Sequence, residues 1–142
     1  MATTRTASAH WEGSLLQGSG QVTLQSSGIG TFDVTWPSRA EQANGRTSPE
    51  ELIAAAHSTC FSMALSLALT QAGAPPASLD TTAEVTFQPG AGITGIVLKV
   101  TGSVPGMTAE QFQEAAEGAK TGCPVSQALK AVPISLEAQF AG

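Results

Sequence analysis

Ser48-Pro49-Glu50-Glu51-Leu52-Ile53-Ala54-Ala55-Ala56-His57-Ser58-Thr59-Cys60-Phe61-Ser62-Met63-Ala64-Leu65-Ser66-Leu67-Ala68-Leu69 is the stretch on which the fold turns. Ser48 is placed to cap a helix, Pro49 stands at the first helical position where its missing donor costs nothing, and Glu51 completes a capping-box pattern. From Leu52 to Gln71 nearly every residue favours helix, Gly73 ends it, and Pro75-Pro76 prevents its resumption. The segment from Phe61 to Leu69 is apolar on most faces and broken only by small hydroxyls, so this helix is expected to be buried all round.

Outward from that helix the pattern becomes β. Residues 6–12, 19–26 and 30–36 are short, partly alternating runs punctuated by glycine, as in an antiparallel meander. Residues 79–88 and 93–104 alternate and are expected to pair as a hairpin across Pro89-Gly90-Ala91-Gly92. Thr108 to Gln111 repeats the capping-box pattern and opens a helix with Phe112, Ala115, Ala116 and Ala119 on one stripe, closed by Gly122. A short turn from Cys123 to Lys130 precedes a last strand, Ile134 to Phe140. The order βββαββααβ predicts an α+β domain over residues 1–142 with mainly antiparallel sheet.

Composition narrows the function. The 142 residues are 42% hydrophobic and only 12% charged, against about 25% charged in an average chain, which predicts surface hidden in a homo-oligomer. Net charge is −5, and the six cations Arg5, Arg39, Arg46, Lys99, Lys120 and Lys130 are scattered, which excludes a nucleic-acid partner. No uninterrupted apolar run reaches the roughly 18 residues of a bilayer span, and Met1 to His10 lacks the features of a signal peptide, so no membrane is expected and the location reads as cytoplasmic.

Three motif-like features lead nowhere. Gly90 to Gly95 satisfies GxGxxG, yet a β run follows it rather than the helix that a dinucleotide needs. No GxSxG supports a serine hydrolase. His57, Cys60 and Cys123 supply three soft ligands without a fourth, so neither a metal nor a cofactor is expected. The two cysteines match no CxxC spacing. Cys60 on the apolar helix reads equally as a small hydrophobe or as a reactive thiol, whereas Cys123 before Pro124 stands at a helix N-terminus that favours thiolate.

Three segments resemble the OsmC/Ohr superfamily of organic hydroperoxide reductases: Ala9-His10-Trp11-Glu12-Gly13, Thr47 through Ser66, and Gly122-Cys123-Pro124-Val125-Ser126. The Cys-Pro-Val-Ser-Gln form and His57 place the resemblance in the OsmC branch. It implies a thiol peroxidase in which Cys60 is the peroxidatic nucleophile, Cys123 the resolving thiol, Glu50 the carboxylate of the Pro-Glu motif and Arg39 its cationic partner, with Arg46 as the alternative cation. It also implies an organic hydroperoxide substrate, a Cys60–Cys123 disulfide, an external dithiol reductant of the lipoyl class, and an intertwined homodimer whose antiparallel sheets wrap around long buried central helices. The chemistry suits the residues, because a nearby guanidinium favours the thiolate and polarises the O–O bond, and a carboxylate can hold that guanidinium bidentately.

Glu50 and Cys60 lie ten residues apart, roughly 15 Å along a straight helix. The sequence reading therefore predicts a break or π-type irregularity between Ala56 and Thr59. Phe61, Met63, Leu65 or residues from the partner copy are expected to line an apolar slot at the dimer interface. A redox-sensing or small-molecule-binding dimer without turnover is the alternative reading of the same two thiols.

Overall fold

The first fifty residues build a meander whose strands are held in place by tight turns. The computed structural model describes residues 1–142, and they form two compact units, Met1–Leu52 and Ile53–Gly142. In the first unit β1 (Ser8–Glu12), β2 (Ser19–Thr23) and β3 (Thr31–Val34) make an antiparallel sheet in the order β1-β2-β3. Gly13 takes a φ of +91° where the chain leaves β1, a conformation that favours glycine.

A short helix that the sequence reading treated as loop follows, α1 (Trp36–Ala40). Its signal was present. Thr35 caps the Ser38 N–H at 3.1 Å and the Ser38 hydroxyl takes the Thr35 N–H at 3.0 Å, with Pro37 early in the first turn.

Helix α2 (Pro49–Gln71) starts and stops where expected. Ser48 Oγ accepts the Glu51 N–H at 3.2 Å, but the Glu51 carboxylate accepts from the Thr47 hydroxyl at 2.6 Å, so only the serine half of the expected box forms. At the other end the Ala74 N–H reaches the Leu69 carbonyl and the Gly73 N–H the Thr70 carbonyl, a Schellman closure that needs Gly73 at φ +86°.

No break or π turn interrupts this helix between Ala56 and Thr59. Ala54, Ala55 and Ala56, which lead into that turn, are strong helix formers. The Ser58 and Thr59 hydroxyls fold back onto the Ala55 carbonyl at 3.2 and 2.8 Å without opening the backbone. By length and composition α2 also qualifies as a bilayer span, which a count of uninterrupted apolar residues missed because its hydroxyl residues split the run. One face is nonetheless packed in protein: His57, Phe61, Leu65 and Leu69 are fully buried, and Ser62 donates to Thr81 at 2.8 Å. Within a single chain the helix is not buried all round, since Met63 and Leu67 are 68% and 58% exposed.

The second unit continues with β4 (Ser78–Gln88) and β5 (Gly92–Ser103), paired antiparallel with a register shift at Thr86/Phe87. α3 (Ala109–Gly122), with its complete Thr108/Gln111 capping box, and α4 (Pro124–Ala128) follow, and β6 (Ile134–Phe140) closes the sheet in the order β4-β5-β6. β6 runs parallel to β5, the one departure from antiparallel pairing, because the helical crossover through α3 and α4 returns the chain to the starting end of β5.

Phe61, Leu65 and Leu69 from α2, Ile96, Leu98 and Val100 from β5, and Phe112, Ala116 and Ala119 from α3 form the core of this unit. Gly102 is buried against Phe112, whose ring would lie 2.4 Å from an added Cβ. A hydrogen bond between His57 and Ser126 ties α4 to the covered face of α2.

Candidate active site

The four residues assigned from the resemblance fall into two pairs, one in each unit. In Met1–Leu52, α1 projects Arg39 and the first turn of α2 carries Glu50. The intervening loop is pinned by the Ser38 hydroxyl to the Thr47 carbonyl at 3.0 Å and by the Thr47 N–H to the Asp33 carbonyl at 3.0 Å. The Arg39 fork then grips Glu50, with Nε 3.0 Å from Oε1 and Nη2 2.9 Å from Oε2. The carboxylate is buried and the guanidinium one-third exposed. Arg46, the alternative cation, is exposed, and the ion pair on Glu50 is made by Arg39.

Arg39 also stands in the wall of an apolar cleft of about 520 Å³, shared with Trp11, Leu15, Val34, Trp36 and Leu52. Sequence reasoning did not single out this cleft. Its two tryptophans in a chain so poor in aromatics were the available signal.

In Ile53–Gly142 the two cysteines meet. Cys123 ends α3 and caps α4, its backbone N–H bonded to the Ala119 carbonyl and its Sγ accepting the Ser126 N–H at 3.3 Å. Pro124 at the first position of α4 holds this corner. Cys60, half-buried on α2, lies close enough to the Cys123 side chain and to the Val125 backbone N–H for both to act on its thiol. Both thiols are free. Burial pushes the Cys60 thiol up from its ordinary value of 9.0, the Val125 N–H pulls it down, and the adjacent Cys123 pushes it up again. None of these influences supplies the positive charge that favours a thiolate at Cys60.

Behind Cys123 lies a feature that the sequence reading took for a hydrogen-bonded core histidine. His57, fully buried, places Nε2 2.7 Å from Ser126 Oγ, and that hydroxyl lies 3.1 Å from Cys123 Sγ. Burial lowers the imidazole's pKa from 6.5, which keeps it neutral. Its Nδ1 has no hydrogen-bond partner.

Phe61 and Leu65, expected to line the substrate slot, are buried among the core residues of this unit, so neither is available to substrate. Their 3.6-residue spacing puts them on the covered face of α2, while Met63 falls on the open one.

The sequence profile of the OsmC-like proteins matches residues 42–137, a span that holds Glu50, Cys60 and Cys123 and begins just after Arg39. Peroxiredoxin OsmC of Escherichia coli (strain K12) is 47% identical over 135 residues, covering 93% of each chain. The organic hydroperoxide resistance protein OhrB of Bacillus subtilis is a structural neighbour at TM-score 0.70 and 25% identity, over 94% of this chain and 98% of that one. An OsmC-like protein from Mycoplasma pneumoniae shares the fold at TM-score 0.74 with 12% identity, over the whole of both chains. By its profile match and its near full-length relative, this chain belongs to the OsmC-like protein family.

Proposed function

We propose that this protein is a cysteine-based peroxidase that reduces organic hydroperoxides to alcohols. The observation that carries the reading is that Cys60 and Cys123, free thiols remote in sequence, come close enough for the Cys123 side chain to act on the Cys60 thiol. The E. coli relative's name, peroxiredoxin, and the organic hydroperoxide resistance of the B. subtilis neighbour point the same way.

The Cys60 thiolate attacks the terminal peroxide oxygen. The O–O bond breaks, the alkoxide takes a proton and leaves as alcohol, and Cys60 becomes a sulfenic acid. Cys123 then attacks the Cys60 sulfur, water is lost, and the disulfide that forms is reduced by an external dithiol, for which a lipoyl group is our proposed class. Arg39, oriented by Glu50, supplies the positive charge that stabilises the Cys60 thiolate and polarises the peroxide in the working assembly. The alkyl portion of the substrate suits the apolar cleft beside Arg39.

That working assembly is a homodimer. Met63 and Leu67 form an exposed apolar stripe on α2, and a second copy of the same helix is the self-complementary cover that a two-fold interface provides. A cycle that ends in a disulfide fits a compartment that keeps thiols reduced, and we place the protein in the cytoplasm.

Cumene hydroperoxide consumption with a dithiol in excess tests the function. The expected result is many turnovers per subunit, abolished in Cys60→Ser, with Cys123→Ser stalling after the first attack. A wild-type reaction that stops after one equivalent makes the protein a redox sensor, and full turnover in Cys60→Ser overturns the assignment of the nucleophile.

A further inference from the structure

We propose that His57 and Ser126 form a proton relay that activates Cys123 for disulfide closure, with Ser126 as the residue that touches the reacting sulfur and His57 as the positioning residue behind it. This rests on the peroxidase reading above. Four groups follow one another within one unit: Cys60 beside Cys123, Cys123 Sγ 3.1 Å from Ser126 Oγ, and Ser126 Oγ 2.7 Å from His57 Nε2. His57, Cys123 and Ser126 are all buried, so bulk water is a poor acceptor for the Cys123 proton at the moment of attack. A hydroxyl is both donor and acceptor, and it can take a proton from sulfur while passing its own to nitrogen.

The step balances. Cys123 Sγ attacks the sulfur of the Cys60 sulfenic acid, an S–S bond forms, and the Cys60 S–O bond breaks with its electron pair leaving as hydroxide. The Cys123 sulfur is oxidised and the Cys60 sulfur reduced. The Cys123 proton moves to Ser126 Oγ as the Ser126 proton moves to His57 Nε2, and the hydroxide takes a proton from solvent to leave as water. The buried imidazole then gives that proton up to solvent and returns to its neutral form, and Cys123 is reprotonated when the external dithiol later reduces the disulfide.

A helix with an ordinary buried face would carry an apolar residue at position 57, one turn before Phe61. The imidazole there, with its second nitrogen unpartnered, is costly to bury and is poorly explained by packing alone. The lowered pKa of His57 leaves it neutral, and thus able to accept, across the neutral range.

The test separates the two chemical steps in single-turnover experiments on the full chain. Sulfenic acid is trapped with dimedone, and closure is followed by the loss of alkylatable thiols. Expected for Ser126→Ala and His57→Gln is closure slowed by about 10- to 100-fold, the scale of a lost general base. Sulfenic acid should accumulate while its formation changes by less than about threefold, and Ser126→Thr should restore closure by restoring the hydroxyl. Glutamine keeps a hydrogen bond to Ser126 but accepts no proton, so wild-type closure in His57→Gln reduces His57 to a structural role and overturns the relay. Should the variants fail to fold, the wild-type protein decides the matter: a solvent deuterium isotope effect of about 2 or more on closure supports the relay, and no effect overturns it. A wild-type protein that forms no sulfenic acid with hydroperoxide removes the peroxidase reading itself, whereas normal closure in wild type and variants alike removes only the relay.

Discussion

Arg39 holds both carboxylate oxygens of Glu50, Nε at 3.0 Å from Oε1 and Nη2 at 2.9 Å from Oε2, on a carboxylate that is almost wholly buried. Removing the guanidinium alone leaves a buried charge without its partner. Arg39→Ala is expected to cost about 1–3 kcal/mol, and the double variant Arg39→Ala/Glu50→Gln to recover part of that loss. Urea unfolding of the two single variants and the double variant gives the coupling. Strictly additive costs would mean that the fork contributes nothing to stability.

The same arginine is expected to govern Cys60. Burial alone raises that thiol, so the thiolate that the reaction needs has to be stabilised by a cation. The pH profile of iodoacetamide labelling at Cys60 should therefore move to higher pH in Arg39→Ala, with peroxide consumption at neutral pH slowed by about tenfold for each unit moved, and should stay in place in Arg46→Ala. A shift in Arg46→Ala and none in Arg39→Ala would transfer the role to the other cation.

Oligomerisation is tested on the open face of α2. Met63→Glu and Leu67→Glu place charges where Met63 and Leu67 are 68% and 58% exposed in a single chain, so neither should unfold the protomer. In a dimer that packs this face, each should dissociate the subunits, read as a halved mass by light scattering. Dimers that persist in both variants would put the interface elsewhere.

His57 makes stability depend on pH in a defined direction. Its folded pKa lies below 6.5 because of burial, so as pH falls through 6.5 the unfolded chain takes up a proton that the folded chain refuses. Its contribution is complete above that pH. It is lost below it, at up to ~1.4 kcal/mol per pH unit, until the folded group protonates. Urea unfolding between pH 7.5 and 5.5 should show this loss in wild type and a smaller one in His57→Gln. Equal slopes would mean that the imidazole titrates normally.

What could be read in the residues was local. Ser48-Pro49 and Gly73 mark the ends of α2 because caps and φ > 0 positions are decided by neighbours in the chain. The Thr108 box was legible for the same reason. Long-range partners were not. Glu51 chose the Thr47 hydroxyl over the Ser48 N–H, β6 entered its sheet parallel, and Phe61 and Leu65 turned to the core while Met63 turned away. The cysteine pair was reached through resemblance. The hydrogen-bond line from Cys123 through Ser126 to His57 spans residues 69 positions apart, and no periodicity announces such a contact.

The most direct test of the account is the mass of the protein after one equivalent of cumene hydroperoxide, followed by peptide mapping without reductant. Loss of two hydrogens per chain is expected, with a cross-linked species joining the peptide that holds Cys60 to the one that holds Cys123. Two thiols that remain fully alkylatable after peroxide, or a bridge that joins Cys60 to another Cys60, would contradict it.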